Sequence, residues 1–240
     1  MSSDKPPPAS ASAPASDSAS EAFRAAHARA YAEGPPRQVP GFAALHRMAS
    51  LLLAERVPAQ GRLLVLGAGG GLEIKALAED HAGWSFDGVD PSAEMLQAAE
   101  DLLGPLNART RLIHGYVDSA PEGPFDGGIC LLTLHFVPRA QRLETLRAIR
   151  RRLKPGAPFV VAHLSFPQGE AEKSLWIARH LAFAGVDPAK AETSAQAMAT
   201  RLSVLSPEED EAMLREAGFS GVALFYAGLT FRGWAGYAES

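Results

Sequence analysis

The sequence predicts an α/β fold, a doubly wound Rossmann-like parallel sheet with helices on its faces. Short apolar runs alternate with segments of helical spacing from Arg62 to Leu164, and the first run ends on a glycine turn, Gly67-Ala68-Gly69-Gly70-Gly71. The 240 residues are 47% hydrophobic and 21% charged, which supplies a real core and excludes disordered and coiled-coil composition.

The elements follow in order. Residues 1–20 are dominated by Ser, Ala and Pro, offer too little apolar surface to offset the entropy of ordering, and read as a disordered tail. A helical pattern begins near Ser20, places Phe23, His27, Ala30 and Tyr31 close to one face, and is expected to stop at Gly34-Pro35-Pro36. A second helix follows Pro40-Gly41 with Phe42, Leu45, Met48, Leu52 and Leu53, so that 21–57 forms an N-terminal helical segment ahead of a domain over 58–240.

Leu63-Leu64-Val65-Leu66 reads as a buried parallel strand, and Leu72, Ile74, Leu77 and Ala78 as the helix after the glycine turn. Trp84 to Asp90 completes a βαβ unit. Pro91-Ser92 opens the next helix; Arg109 to Val117 and Asp126 to Leu134 are expected as strands three and four. A helix from Arg139 to Leu153 ends at Lys154-Pro155-Gly156 before strand five, Pro158 to Leu164.

Beyond that, Glu170 to about Leu202 reads as helical with a break near Gly185 to Pro188, giving a lid over about 168–204. A further helix runs from about Pro207 to Ala217. Val222 to Tyr226 and Leu229 to Tyr237, parted by Ala227-Gly228, suit a hairpin added at the sheet edge.

The net charge of −4 gives no positive field to collect phosphates, so nucleic acid is not indicated as a partner. The single cysteine, Cys130, excludes an intramolecular disulfide and a cysteine-held zinc, and points to a reducing cytoplasm. No apolar run is long enough for a membrane span, and the N-terminus lacks the apolar core of a secretion signal.

The glycine turn between strand and helix lets backbone approach a ligand and adopt angles closed to other residues. Asp90, at the end of strand two, stands where a carboxylate accepts hydrogen bonds from both hydroxyls of a ribose. A nucleotide-like cofactor is therefore expected. Leu72 stands where a dinucleotide fold wants Gly or Ala, which counts against hydride chemistry.

Taken in order, Leu63 to Gly71, Phe86 to Leu96, Phe125-Asp126 through Leu131 to Phe136, Arg152 to Ala157, and the final Ala217-Gly218-Phe219 with its hairpin resemble the class I S-adenosylmethionine-dependent methyltransferases over nearly all of 21–238. The resemblance implies seven strands with the last antiparallel, and S-adenosylmethionine as cofactor with S-adenosylhomocysteine as product. By the same likeness Gly67, Ala68 and Gly69 line the methionine and ribose, Asp90 holds the ribose diol, and Pro91 and Met95 lie against the adenosyl group. Tyr116 and Val117 fall at the adenine edge, Leu132 faces the sulfonium, and Tyr31 and Arg37 reach the methionyl carboxylate.

Two positions depart from the family pattern: Val65 replaces an acid common two residues before the first glycine, and Tyr116 replaces an Asp that bonds the adenine amino group. Methyl transfer from a sulfonium is a direct displacement that the protein chiefly aligns, so few catalytic residues are expected. His135 is the best-placed base if the acceptor must lose a proton, with His163 and His46 behind it; a merely structural histidine is the equal alternative.

The arginines from Arg147 to Arg152 read as helix-end charges, Glu208 to Glu211 as helix-start charges, and most aromatic residues of the lid and hairpin as core. The implied protein is a cytoplasmic enzyme acting on a small molecule, without a metal, with a homodimer left open. A carboxy-S-adenosylmethionine synthase of the tRNA wobble-uridine pathway, with Arg179 or Arg201 holding the extra carboxylate, and a non-catalytic cofactor-binding module are the alternatives.

Overall fold

A computed structural model describes residues 34–239. The Ser/Ala/Pro tail, most of the first N-terminal helix and Tyr31 lie outside the described residues. Residues 34–38 are helical, with Val39 N–H donating to the Pro35 carbonyl at 2.9 Å, where the sequence predicts a stop. Proline supplies a helical φ and remains a good acceptor, so Pro35-Pro36 fits where its own missing N–H is not needed.

Helix α1 (Phe42–Ala54) buries Leu45, Ala49 and Leu53, residues four apart on one face. Strand β1 (Arg62–Leu66) leads through the glycine turn into α2 (Leu72–Asp80). Strand β2 (Ser85–Asp90) leads to α3 (Ala93–Leu103), whose cap Ser92 accepts from Met95 N–H at 3.2 Å. Strand β3 (Thr110–His114), strand β4 (Gly127–Leu131), helix α4 (Arg139–Arg152) and strand β5 (Pro158–Leu164) follow. Next come α5 (Glu170–Phe183), α6 (Ala191–Arg201), α7 (Pro207–Glu216), β6 (Phe219–Gly228) and β7 (Phe231–Ala238).

The seven strands lie in the order β3-β2-β1-β4-β5-β7-β6, with β7 antiparallel to both neighbours. Alternate residues of β1 serve opposite faces, as strand geometry requires. Leu63 and Val65 pack with Ile74, Phe86 and Ile129 beneath α1 and α2; Leu64 and Leu66 pack with Val89, Cys130, Leu146 and Ile149 beneath α4.

Three boundaries differ from expectation. β3 stops at His114 because Gly115 turns at φ 145° into a short 3-10 turn, Val117–Ser119. β4 stops at Leu131 because Leu132, at φ 56°, leaves the extended region. The hairpin turns at Leu229-Thr230 rather than Ala227-Gly228, since pairing continues to Gly228 opposite Phe231. The hairpin also does more than border the sheet: its second strand enters between β5 and β6, where Val161 pairs with Trp234.

Candidate functional site

β1 lies between β2 and β4, so the chain leaves β1 at the point where strand order reverses, and the carboxyl ends of the three strands open a crevice there. Gly67 makes the first turn at φ 81°, and a Cβ on it would stand 1.9 Å from Thr133 Oγ1. Glycine at this position is therefore demanded by the neighbouring β4 turn as well as by backbone angle. Asp90 is half-buried, and its Oδ2 accepts from Gly69 N–H at 3.0 Å while Oδ1 accepts from Ser92 N–H at 2.9 Å. A carboxylate offers about four lone-pair sites, so both oxygens keep capacity toward the crevice.

A cavity of about 800 Å³ opens beside this turn, lined by Gly67, Pro91, Tyr116, Val117, Thr133 and Phe136, and continued along α4 by Gln141 and Glu144. Of the sequence-predicted residues, the structure gathers Gly67, Pro91, Tyr116 and Val117 on its wall. Ala68, Gly69, Asp90 and Met95 border the same turn: Ala68 N–H donates to the Val89 carbonyl at 3.1 Å, and Gly70 N–H to the Met95 carbonyl at 3.0 Å. Leu132 stands at the adjacent end of β4, its N–H donating to the Ala162 carbonyl at 2.6 Å. Arg37 is exposed on the 34–38 stretch and is not part of the cavity wall. Tyr116 is 73% exposed and sits at the rim.

Three side chains escaped the sequence reading. Asp118, two residues past Tyr116, lies on the cavity wall; a carboxylate so near the family's usual acid was the available signal. Glu73, in the first turn of α2, is buried. Burial pushes its carboxyl up to about 8, the Asp90 charge adding to the rise against its own backbone N–H. Unfolded, the same carboxyl ionises near 4.5, so the folded state binds the extra proton between those values and loses stability as pH rises through them. Glu73→Gln should remove that decline, of up to about 1.4 kcal/mol per pH unit, as read by denaturant unfolding from pH 5 to 8. An unchanged slope would place Glu73 in water.

The third is Asp210, which sequence grouped with surface acids at a helix start. Ser206 and Glu209 form a capping box, and Arg139 pairs with Glu209 at 2.7 Å, but Asp210 turns inward. Its Oδ1 meets Arg142 Nη1 at 3.1 Å and lies 3.7 Å from His163 Nε2, with all three side chains buried. Arg142 Nη2 also donates to the Ser203 and Val137 carbonyls. One guanidinium thus holds the turn after β4 to the segment entering α7.

His135 belongs to this buried group. Leu164 N–H donates to its Nδ1 at 3.3 Å, and its carbonyl accepts from Ser203 N–H at 2.8 Å. Burial, with the positive surroundings of His163 and Arg142, holds its pKa well below the ordinary value. It is a neutral imidazole with its acceptor nitrogen engaged, which leaves Nε2–H to donate and removes the basis for proton abstraction. Burial also lowers His163 and His46; His46 Nδ1 lies 3.0 Å from the Phe42 carbonyl on its own helix.

The helix-end arginines are more than dipole charges: Arg151 meets Glu144, Arg147 meets Glu216, and Arg152 is buried and donates to the Ala148 carbonyl at 2.9 Å. Among the described residues no group of three or more His, Cys, Asp or Glu could hold a metal ion, and no helix is long and apolar enough to cross a membrane.

Residues 63–156, which contain the glycine turn, Asp90 and β4, match the family model of the methyltransferase domain. The seven-strand order and the antiparallel last strand are those of the class I methyltransferase fold. The chain is 26% identical over 221 residues to a carboxy-S-adenosyl-L-methionine synthase of Pseudomonas syringae pv. tomato, across 88% of this chain and 90% of that protein.

Solved structures share the methyltransferase fold at lower identity. An O-methyltransferase family protein from Burkholderia thailandensis superposes with a TM-score of 0.63 at 16% identity, over 93% of this chain and 61% of that one. Human N-acetylserotonin methyltransferase in complex with S-adenosylmethionine gives a TM-score of 0.60 at 16% identity, over 91% and 55%. This chain therefore spans less than two thirds of the length of either structure.

Proposed function

We propose that this protein transfers a methyl group from S-adenosylmethionine to a small-molecule acceptor, and that Asp90 anchors the cofactor. The observation that carries the assignment is the Asp90 carboxylate, oriented by two backbone amides at the switch point beside the cavity. The residues fit an adenosyl group: Asp90 for the ribose diol, Pro91, Met95 and Val117 for the faces of adenine, and Asp118 for its amino group. Gly67, Ala68 and Gly69 present backbone to the methionine part, and Tyr116 at the rim covers the base. The bound cofactor supplies an activated methyl on a cationic sulfur.

The chain's own residues then orient and exclude water. Leu132 directs the β4 turn toward the acceptor side, and His135 acts as a positioning residue that fastens this turn to β5 through Leu164. With no base at this point, the fitting acceptor already carries its nucleophilic lone pair at neutral pH. Calorimetry should show one S-adenosylhomocysteine bound per chain, and mass spectrometry a methylated product from an acceptor panel. Absence of cofactor binding sinks the proposal.

A second reading, carboxy-S-adenosylmethionine synthesis, is favoured by the Pseudomonas relatives. Against it, the cavity wall includes Asp118 and Glu144 but no Lys or Arg; Arg179 on α5 and Arg201 at the end of α6 are both exposed and outside that wall. Mass spectrometry of the cofactor carried by purified protein separates the two, since the carboxylated form is heavier by one carboxylate.

A further inference from the structure

Arginines in this chain are mostly matched to acids or carbonyls: Arg62 and Arg111 share Asp87, Arg142 holds Asp210, and Arg215 pairs with Glu211. Two stand apart. The Arg179 guanidinium lies 4.7 Å from the Trp176 ring centre and that of Arg232 lies 5.7 Å from the same ring. Neither makes an ion pair with a carboxylate among the described residues, in a chain with net charge −4. The acids of α5 sit in its first turn, Glu170 and Glu172, well before Arg179, and Glu208 faces Arg232 from beyond ion-pair reach.

Arg232 is also fixed in place. Its Nη1 donates to the Leu229 carbonyl at 2.6 Å and the Phe231 carbonyl at 2.8 Å, which leaves Nη2 and Nε for a further partner. The position is the carboxyl edge of the sheet. Arg232 registers opposite His163, one residue along from the Ala162–Gly233 pair, and Ala162 is the residue that accepts from Leu132 at the end of β4. From β4 across β5 to β7 is two strand spacings, about 10 Å, the reach of a small aromatic molecule. Trp176 comes from α5, in the insertion that follows β5.

We infer that Arg179, Trp176 and Arg232 form an anion-binding subsite in which an aromatic carboxylate acceptor stacks on the indole and pairs with the guanidiniums. Its occupant as a methyl acceptor rests on the methyl-transfer reading; the anion site itself does not. An indole face offers stacking area at low entropic cost, and a guanidinium fork matches a planar carboxylate with two parallel hydrogen bonds. Preorganisation of Arg232 by backbone carbonyls lowers the ordering penalty on binding.

Tryptophan fluorescence can read this site, because Trp84 and Trp234 are 2% and 1% exposed and a surface ligand meets Trp176. The full chain, with S-adenosylhomocysteine present, is titrated with benzoate and with its uncharged isostere benzamide. A saturable change with benzoate is expected, with benzamide at least roughly tenfold weaker, as for loss of a charge-assisted bond. Arg232→Gln and Arg179→Gln should each weaken benzoate by a similar factor, with Arg232→Lys recovering part of it. Arg179 is exposed on its helix, so its replacement tests the site even where Arg232→Gln disturbs the hairpin.

Equal response to benzoate and benzamide, no saturable change, or arginine variants that bind benzoate unchanged would each overturn the subsite. Calorimetry with S-adenosylhomocysteine alone keeps the two readings apart. Lost cofactor binding with benzoate binding retained removes the methyl-transfer reading and leaves the anion site standing.

Discussion

Asp90→Ala should weaken S-adenosylhomocysteine binding by about 30- to 1,000-fold, or about 2 to 4 kcal/mol, the worth of two hydrogen bonds to a charged acceptor. The carboxylate is held by the Gly69 and Ser92 amides, so it is oriented before any ligand arrives. Its removal also frees the glycine loop, which adds to the loss. Asp90→Asn keeps one carbonyl oxygen and should fall between the two. Calorimetric titration measures both, with far-ultraviolet circular dichroism as the check on folding. Affinity unchanged in Asp90→Ala would show that the ribose binds elsewhere and would remove the residue on which the cofactor placement turns.

The second large effect is on stability. Arg142→Ala should destabilise the fold by about 3 to 5 kcal/mol, the range for removing one member of a buried ion pair, and lower Tm by about 10 °C for a chain of this size. The Arg142 side chain is 0% and the Asp210 side chain 3% exposed, so the carboxylate left behind has no water to turn to, and His163 at 3.7 Å lies beyond hydrogen-bond distance. The Val137 and Ser203 carbonyls lose their donor in the same step. The double change Arg142→Met with Asp210→Leu should recover much of the loss, because it leaves no buried charge unpaired. A Tm drop of only a degree or two in Arg142→Ala would mean that the network is solvated.

The contrast between these residues explains how far the sequence could be read. Asp90 was legible because its role is local: it ends a strand a fixed distance after a glycine turn, and the loop geometry that presents it is carried by neighbouring residues. Asp210 sat inside a run of four acids after a proline, where first-turn charge is the ordinary reading. Nothing local separates it from Glu209, which caps the helix, while Asp210 meets a residue 68 positions away. Glu73 was hidden for a similar reason, since an acid in the first turn of a helix is normally solvated, and only the folded chain buries it.

His135 shows the same limit from the other side. Its position just past β4 was read correctly, but whether an imidazole there abstracts a proton depends on which nitrogen is free, and a backbone amide of β5 occupies Nδ1. Tyr116 at 73% exposure borders the cavity rather than filling it, and Asp118, two residues on, puts a carboxylate on the wall.

By itself the sequence determined the alternation of strands and helices, the glycine turn, the acid at the end of β2 and the methyltransferase resemblance. These depend on side-chain periodicity and on backbone angles within short stretches, which neighbouring residues control. Tertiary structure alone decided the placing of β7 between β5 and β6, the burial of Glu73 and Asp210, the loss of a free base at His135, and the arrival of Arg232 beside Trp176. Each of these is a contact between segments distant in sequence, and its energy depends on desolvation and pairing that exist only once the sheet has brought those segments together.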